Sequence, residues 1–206
     1  MKVAVVLAAL ALLGCTALAS AQQKCKMPQQ WEARSTRFDP NRRPYHQHSS
    51  EYRTWGRYAY DGVNKRKWML DMVVRGDIDH KRFMVLELYE EQEAYVTDLD
   101  TQECRVYNLT IPFHRHDIND DAEFIGYEIL GSGEDSIQLS QWFTPNATYH
   151  GERSTDYQTF TMDCVPVRDD HYAAATGFHY EEFSDVTIGI SDPNVFIPNP
   201  ACKIEW

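Results

Sequence analysis

Beyond its first 21 residues the sequence has no long apolar run, which argues against a membrane-spanning helix in the rest of the chain. Close cysteine pairs are also lacking: no Cys-x-x-Cys occurs, so structural zinc sites of that kind are not predicted. Basic residues are scarce, with 20 Lys and Arg against 31 Asp and Glu and a formal net charge of -11. This acidic balance argues against binding to nucleic acid or to anionic membranes.

Catalytic motifs are lacking as well. The sequence has no Gly-x-Ser-x-Gly, no His-Glu-x-x-His and no glycine-rich phosphate loop. The carboxylates are scattered as on any acidic surface, and cysteines that are expected to be oxidised offer no thiol nucleophile. We therefore expect a protein that is not an enzyme, and a hydrolase is the weakest of the hypotheses considered for this chain.

Residues 1–21 read as a secretory signal peptide. Lys2 supplies the positive start, residues 3–13 the apolar stretch, and residues 19–21 a small-x-small cleavage site. An alternative is a bacterial lipoprotein box in which Cys15 would carry the lipid. Cleavage after the small-residue site removes this cysteine and leaves an even number of them, so secretion is the preferred interpretation.

The remaining residues, 22–206, are predicted to form a single domain that is long enough to bury a substantial core. Two glycosylation acceptors, Asn108 and Asn146, begin Asn-x-Thr triplets and are expected to be exposed. In an exported chain, four widely spaced cysteines predict two disulfides rather than a metal site. These four are Cys25, Cys104, Cys164 and Cys202. The protein is therefore expected outside the cell or in a lumen.

Strand signals recur about every ten residues, and no helical pattern exceeds two turns, which predicts an all-β sandwich or barrel. Asp61 and Gly62 mark one tight hairpin, and residues 131–135 mark another. Strands are predicted over residues 52–60, 65–74, 82–90, 94–99, 103–111, 124–130, 136–143, 157–167 and 186–190.

Three segments carry a family resemblance. Residues 185–198 read Asp-Val-Thr-x-Gly-Ile-x-Asp-Pro-x-Val-Phe-x-Pro and lead to Cys202. Residues 28–34 read Pro-x-x-Trp-Glu-Ala-Arg, with Ala33 where glycine is usual, and residues 60–66 read Tyr-Asp-x-x-Asn-x-Arg. In these segments the chain resembles the ependymin-related proteins, and the resemblance extends over the whole mature sequence.

The resemblance implies a fold of two stacked antiparallel sheets bent into a half-barrel, similar to the bacterial lipoprotein carriers, with little helix. It also implies a secreted glycoprotein that forms a homodimer, and a pairing of Cys25 with Cys164 and of Cys104 with Cys202. Strand spacing alone would not separate this fold from a lipocalin or an immunoglobulin-like sandwich.

Aromatic side chains crowd the first half of the domain, where they would usually be core or cross-strand pairs. The concave face of a half-barrel could instead use them to hold a hydrophobic ligand or lipid, the role that the resemblance implies. Trp68 is the leading candidate because it begins the second arm of the first hairpin, opposite the Tyr58 region. The candidate groove residues are Trp55, Tyr58, Tyr60, Trp68, Phe83 and Tyr89.

An alternative function that the family resemblance also implies is that of an extracellular-matrix or cell-adhesion component, such as one in a calcified shell matrix. Arg75-Gly76-Asp77 is an integrin-type tripeptide between two predicted strands, although such triplets often arise by chance. Asp117, Asn119 and Asp121 are candidate calcium ligands. Their segment imitates a calcium loop but has Ala122 where an EF-hand needs glycine, so a solvated acidic loop is the competing interpretation.

Two His-x-His pairs occur, His46 with His48 and His114 with His116. On a strand the two imidazoles of such a pair share one face and could bind zinc or copper. Each pair lies beside a proline in a predicted loop, so both are interpreted as surface histidines.

Overall fold

The computed structural model describes residues 24–39, 52–75, 79–149, 151–174 and 177–204. Within these residues the chain forms β-strands and one short 3-10 helix, Pro193–Phe196. The strands are β1 (Gln30–Asp39), β2 (Tyr52–Asp61), β3 (Arg66–Arg75), β4 (Asp79–Leu88), β5 (Glu93–Asp98), β6 (Cys104–Asn108), β7 (Glu123–Ser132), β8 (Asp135–Tyr149), β9 (Glu152–Thr161), β10 (Pro166–Ala173), β11 (Gly177–Ile188) and β12 (Lys203–Ile204).

All of these strands belong to one hydrogen-bonded sheet in the order β12-β6-β5-β4-β3-β2-β1-β11-β10-β9-β8-β7. Neighbours run antiparallel except for the two-residue β12, which pairs parallel with β6. The described sheet is open, with β7 and β12 at its two edges. The predicted all-β, antiparallel fold is confirmed. No helix in the described part of the chain is long and apolar enough to cross a membrane.

Both predicted hairpins form where their turn residues lie. Asp61 ends β2, and Arg66 begins β3 directly opposite it. The second hairpin joins β7 to β8, and its turn uses Gly131 and Gly133 at φ of 96° and 62°. At Gly131 a Cβ atom would lie 2.2 Å from the Asp135 carbonyl oxygen, so both the backbone angle and the available space require glycine there.

One predicted strand, residues 157–167, is wrong because it is two strands. β9 ends at Thr161, a turn follows, and β10 begins at Pro166. Cys164 lies in that turn with φ of 66°, outside extended geometry. Strands β1 and β12, most of β10 and residues 177–185 of β11 were not predicted. The Pro166–Ala173 segment has polar side chains on both faces, so the alternation that signals a half-buried strand is missing.

We call the face of the sheet that carries Trp31, Tyr58, Trp142 and Phe183 the inner face. Its buried core draws on strands from β1 to β5 and on β8, β9 and β11, far apart in the sheet order. One cluster can include Val96 of β5 together with residues of β8 only if the sheet curves strongly. The buried members are Met27, Trp31, Ala33, Tyr58, Tyr60, Met69, Val85, Val96, Ile118, Ala122, Trp142, Phe160 and Phe183.

Residues 109–122, here called the crossover segment, connect β6 near one edge of the sheet to β7 at the other. The segment therefore has to pass over the inner face. Ile118 and Ala122 are buried in the core, and Phe113 packs against it. His116 is 2% exposed. The crossover segment thus adds side chains to a core that the two halves of the curved sheet share, and it covers part of the inner face.

The outer face carries a smaller cluster of Ala59, Leu86, Leu88 and Phe196, with Trp68 packed against it. Phe196 belongs to the 3-10 helix, whose N-cap Asp192 accepts a hydrogen bond from the Asn194 backbone N–H. The Asp-Pro-x-Val-Phe part of the C-terminal segment thus forms a capped turn that packs Phe196 against the outer face.

Two disulfides tie the ends of the domain to the sheet. Cys25 is joined to Cys164 across 139 residues, and Cys104 to Cys202 across 98 residues. These are the pairs that the family resemblance implies. The first holds the segment before β1 against the β9–β10 turn, and the second holds the C-terminal tail against β6.

Candidate functional site

The six aromatic residues predicted to line one groove lie on two faces of the sheet, so the predicted groove is wrong as a single surface. Tyr58 and Tyr60 belong to the inner face and are each 2% exposed. Trp68 pairs with Ala59, one residue along from Tyr58, and therefore lies on the outer face. Trp55 also points outward, since side chains alternate along β2.

The inner aromatic residues are covered by the crossover segment. Phe113 stacks on Tyr60 with ring centroids 5.6 Å apart and meets Tyr89 edge-on at 5.0 Å. The His116 ring lies 5.9 Å from that of Tyr58. Phe83 packs against the same core. A ligand cannot occupy this part of the inner face unless residues 109–122 move away.

A line of buried hydrogen bonds joins the crossover segment to the sheet. The Tyr58 hydroxyl lies 2.9 Å from His116 Nε2, and His116 Nδ1 lies 2.8 Å from Asp169 Oδ2. Gln158 donates to the other oxygen of Asp169 at 3.3 Å. With its proton on Nδ1, His116 donates to the carboxylate and accepts from the phenol.

The electrostatics of this line follow from its burial. Burial raises the pKa of Tyr58 well above its ordinary value, so the phenol keeps its proton and acts as a donor. Burial also works to raise the pKa of Asp169, but the hydrogen bonds from His116 and Gln158 hold that pKa below the ordinary value. Asp169 is therefore an ionised carboxylate, and the protonated Tyr58 is not an activated nucleophile.

A second His–Asp pair lies beside the first on the inner face. His171 Nδ1 is 3.0 Å from Asp156 Oδ1, and that oxygen accepts a hydrogen bond of 2.7 Å from Ser154. The rings of His171 and His179 are 5.4 Å apart. The sequence analysis did not detect this histidine–aspartate cluster, because strands that bury polar side chains lack apolar alternation. Asp169 and His171 are two residues apart and so share one face of a strand, and this spacing is the signal that could have revealed the cluster.

The interpretation of His114 and His116 as surface histidines is wrong. His116 is buried between Tyr58 and Asp169, and His114 is half-buried with its ring 5.7 Å from that of His116. The buried carboxylate of Asp169, remote in sequence, holds the imidazole inside. The other predicted pair, residues 46 and 48, lies outside the described residues.

The candidate calcium ligands point in different directions. Arg115 forms an ion pair with Asp117. The side-chain amide of Asn119 donates to the Thr144 hydroxyl at 3.2 Å, so it faces the sheet. Asp121 is exposed to solvent. Calcium binding at this segment stays a prediction, and the observed contacts do not favour it.

Two other groups of predicted site residues remain predictions. β3 ends at Arg75 and β4 begins at Asp79, so the Arg-Gly-Asp tripeptide falls at a hairpin connection. Residues 76–78 lie outside the described part of the chain. The glycosylation acceptors Asn108 and Asn146 are both exposed, as acceptors have to be.

Edge strand β7 exposes a row of apolar side chains on its inner side. Phe124 pairs with Trp142, and the two rings are 5.3 Å apart. Tyr127 and Ile129 follow on the same face, opposite Ser140 and Gln138. Their exposed fractions are 36%, 47% and 67% in chain order. We call Phe124, Tyr127 and Ile129 the inner strip, and it extends the apolar core to the surface.

The opposite side of the same hairpin is apolar too. Leu130 pairs with Ile137, and they are 57% and 44% exposed. β9 ends opposite Leu139, so the tip of the β7–β8 hairpin projects beyond the neighbouring strand. The projecting hairpin therefore exposes apolar side chains on both of its faces, and contiguous exposed apolar surface commonly marks a binding site.

A cavity of 720 Å³ lies between the segment before β1 and the crossover segment. Met27 and Ile118 contribute apolar walls, but Lys24, Lys26 and Arg115 also line it. The Lys24 ammonium donates to the carbonyl oxygen of Asn119 at 3.1 Å. This mixed lining suits an apolar ligand less well than the inner strip does.

The chain is similar to several known proteins. The family model described as Ependymin matches residues 78–202. Mammalian ependymin-related protein 1 from Rattus norvegicus is 28% identical over 192 residues, which are 93% of this chain and 81% of that protein. The Mus musculus protein of the same name gives the same values. A crystal structure of an uncharacterized conserved protein from Thermus thermophilus aligns with a TM-score of 0.47 and 9% identity, covering 86% of this chain and 90% of that one.

Proposed function

The chain belongs to the ependymin family, and we propose that it is a secreted, non-enzymatic binding protein for an apolar ligand such as a lipid. The observation that carries the proposal is the inner strip on β7, where apolar side chains continue the core out to solvent. Two disulfides and exposed glycosylation acceptors support an extracellular location.

The inner strip suits an apolar partner for a physical reason. Removing apolar surface from water contributes roughly 25 cal/mol for each Å², or about 1.5–3 kcal/mol for a large apolar side chain that goes from fully exposed to fully buried. The three side chains of the inner strip are partly buried already, so each contributes a fraction of that amount. Phe124 is anchored against the buried Trp142, so that end of the surface is held in place before a ligand arrives. Ile129 is two-thirds exposed, so a bound ligand would remove more of its surface from water than it would for Phe124 or Tyr127.

The test uses two substitutions on one strand. Ile129→Asp places a charge on the inner strip and should weaken binding of a fluorescent fatty acid at least about tenfold, since 1.4 kcal/mol is a factor of ten. Leu130→Asp is the matched control, because Leu130 is also more than half exposed but faces the other side of the hairpin. Equal loss of affinity in both variants, or no binding by the wild-type protein, would contradict the proposal.

We further propose that the opposite side of the hairpin, carrying Leu130 and Ile137, is the surface through which the chain forms a homodimer. The projecting tip supports this, because it can reach a second copy without displacing neighbouring strands. Analytical ultracentrifugation should show a dimer for the wild-type protein and for Ile129→Asp, and a monomer for Leu130→Asp. A wild-type protein that stays monomeric at all accessible concentrations would refute this part.

A further inference from the structure

We propose that His114, Asp169 and His171 form a binding site for a first-row transition-metal dication of the zinc type. Each side chain offers one ligand atom, and the three atoms lie within 4.8 Å of one another. Asp169 and His171 are two residues apart on β10 and share the inner face. His114 comes from the crossover segment above them. This site is distinct from the inner strip and does not depend on it.

The ring geometry fits a shared cation. With metal–nitrogen bonds of about 2.0–2.1 Å and tetrahedral angles, two imidazoles on one zinc have ring centroids roughly 5 Å apart. The centroids of His114 and His171 are 5.5 Å apart, with the rings at 83°. In a tetrahedral zinc site the ligand atoms lie about 3.4 Å from one another. The three atoms here are within 4.8 Å, so side-chain rotations that move each ligand atom by about 1 Å would bring them to that distance.

Neighbouring residues already surround two of the three ligands. His171 Nδ1 lies 3.0 Å from a carboxylate oxygen of Asp156, an ion-pair distance that places this carboxylate beside the imidazole. Asp169 is held by His116 at 2.8 Å and by Gln158 at 3.3 Å. A carboxylate behind a ligating imidazole is the usual support of a zinc ligand, because it holds the ring and increases its basicity.

The charges of the site also favour a dication. Asp156 and Asp169 are each 1% exposed. Burying two carboxylates is costly unless positive charge is close by. One dication would balance both, while His114 and His171 remain neutral ligands.

The ligand atoms indicate which metal to expect. Calcium prefers six to eight oxygen atoms, and this site has two nitrogens and one carboxylate. Imidazole with a carboxylate suits zinc, copper, nickel or cobalt, and zinc accepts four ligands with water as the fourth. His114 is the half-buried member of the three, so entry of the ion and of a water ligand is expected on its side.

The experiment titrates the mature protein, freed of metal with EDTA, with Zn²⁺ alone in a calorimeter. One equivalent of Zn²⁺ should bind, and Co²⁺ in its place should give the visible absorption of a tetrahedral nitrogen–oxygen site. His114→Gln should lose this binding, since it removes a ligand from a half-buried position without emptying the core. Asp156→Asn should weaken it roughly 10–100-fold, the usual cost of losing a supporting carboxylate.

Two controls separate this site from other histidines. His179→Gln removes a buried imidazole 5.4 Å from His171 that is not one of the three ligands, and it should bind Zn²⁺ normally. The double variant His46→Gln/His48→Gln should also bind normally. Near-UV circular dichroism confirms that each variant is folded. The proposal is overturned if the wild-type protein binds no Zn²⁺, if folded His114→Gln binds as well as the wild type, or if only the double variant loses binding.

Discussion

Replacing Asp61 by Asn removes one negative charge from the carboxylate that organises the β2–β3 hairpin. Asp61 is fully buried. Its Oδ1 accepts hydrogen bonds from the Gln30 side chain and the Asn64 backbone N–H, both at 3.1 Å. Its Oδ2 accepts from Asn64 Nδ2 at 2.7 Å and from Arg66 Nε at 2.8 Å. These contacts explain the spacing of the Tyr-Asp-x-x-Asn-x-Arg segment, because its Asn64 and Arg66 both donate hydrogen bonds to its Asp61.

The size of the effect follows from these four bonds. An asparagine amide turns one oxygen into an NH₂ group, which then faces donors instead of accepting from them. A hydrogen bond to a charged group contributes about 1.5–3 kcal/mol, and breaking a buried ion pair costs about 3–5 kcal/mol. The Arg66 side chain is 28% exposed and can recover some hydration, so the lower end applies. We expect a loss of about 3 kcal/mol in the free energy of unfolding.

Urea unfolding of the purified mature protein measures this loss. For a domain of this size, about 3 kcal/mol corresponds to a fall of roughly 6–12 °C in the melting temperature. Asp185→Asn is the matched control, because Asp185 also pairs with an arginine but is 67% exposed. It should change stability by less than about 0.5 kcal/mol. A loss below about 1 kcal/mol in Asp61→Asn, or equal losses in both variants, would refute the reasoning.

Burial works to raise the pKa of Asp61, but the hydrogen bonds from Asn64 and Arg66 hold that pKa below its ordinary value, so ionised Asp61 stabilises the folded state. This stabilisation is fully present above the unfolded-state pKa of about 3.9 and is lost as the pH falls through the folded-state pKa. The urea midpoint should therefore drop on acidification, and it should drop less in Asp61→Asn. Phe196→Ala should cost about 3–5 kcal/mol, because Phe196 is buried on the outer face with the Arg66 guanidinium 4.2 Å above its ring; an unchanged urea midpoint would count against this packing. Asn108→Gln and Asn146→Gln should each remove one glycan from the protein secreted by eukaryotic cells, as read from its mass, and an unchanged mass would show that the site is not used.

Much of the fold could be predicted because its signals are local. Alternating side chains mark the strands around Val85 and Val96, and Gly62 and Gly133 mark the turns between neighbours. Where a strand buries polar groups, as β10 does with Asp169 and His171, the same rule has nothing to detect. The candidate site was predicted less well, since Trp68 was assigned to the wrong face.

The sequence by itself determined the antiparallel all-β character, the hairpins and the family. Alternation shows which residues share a face, and turn chemistry shows which strands are neighbours, and both act over a few residues. Only the tertiary structure decided which face is covered and by what. The crossover segment spans the sheet from β6 to β7, and its path depends on buried contacts such as that of His116 with Asp169, 53 residues apart. Contacts at such separations leave no periodic trace in the chain, and so the buried histidine cluster and the covered groove appear only in three dimensions.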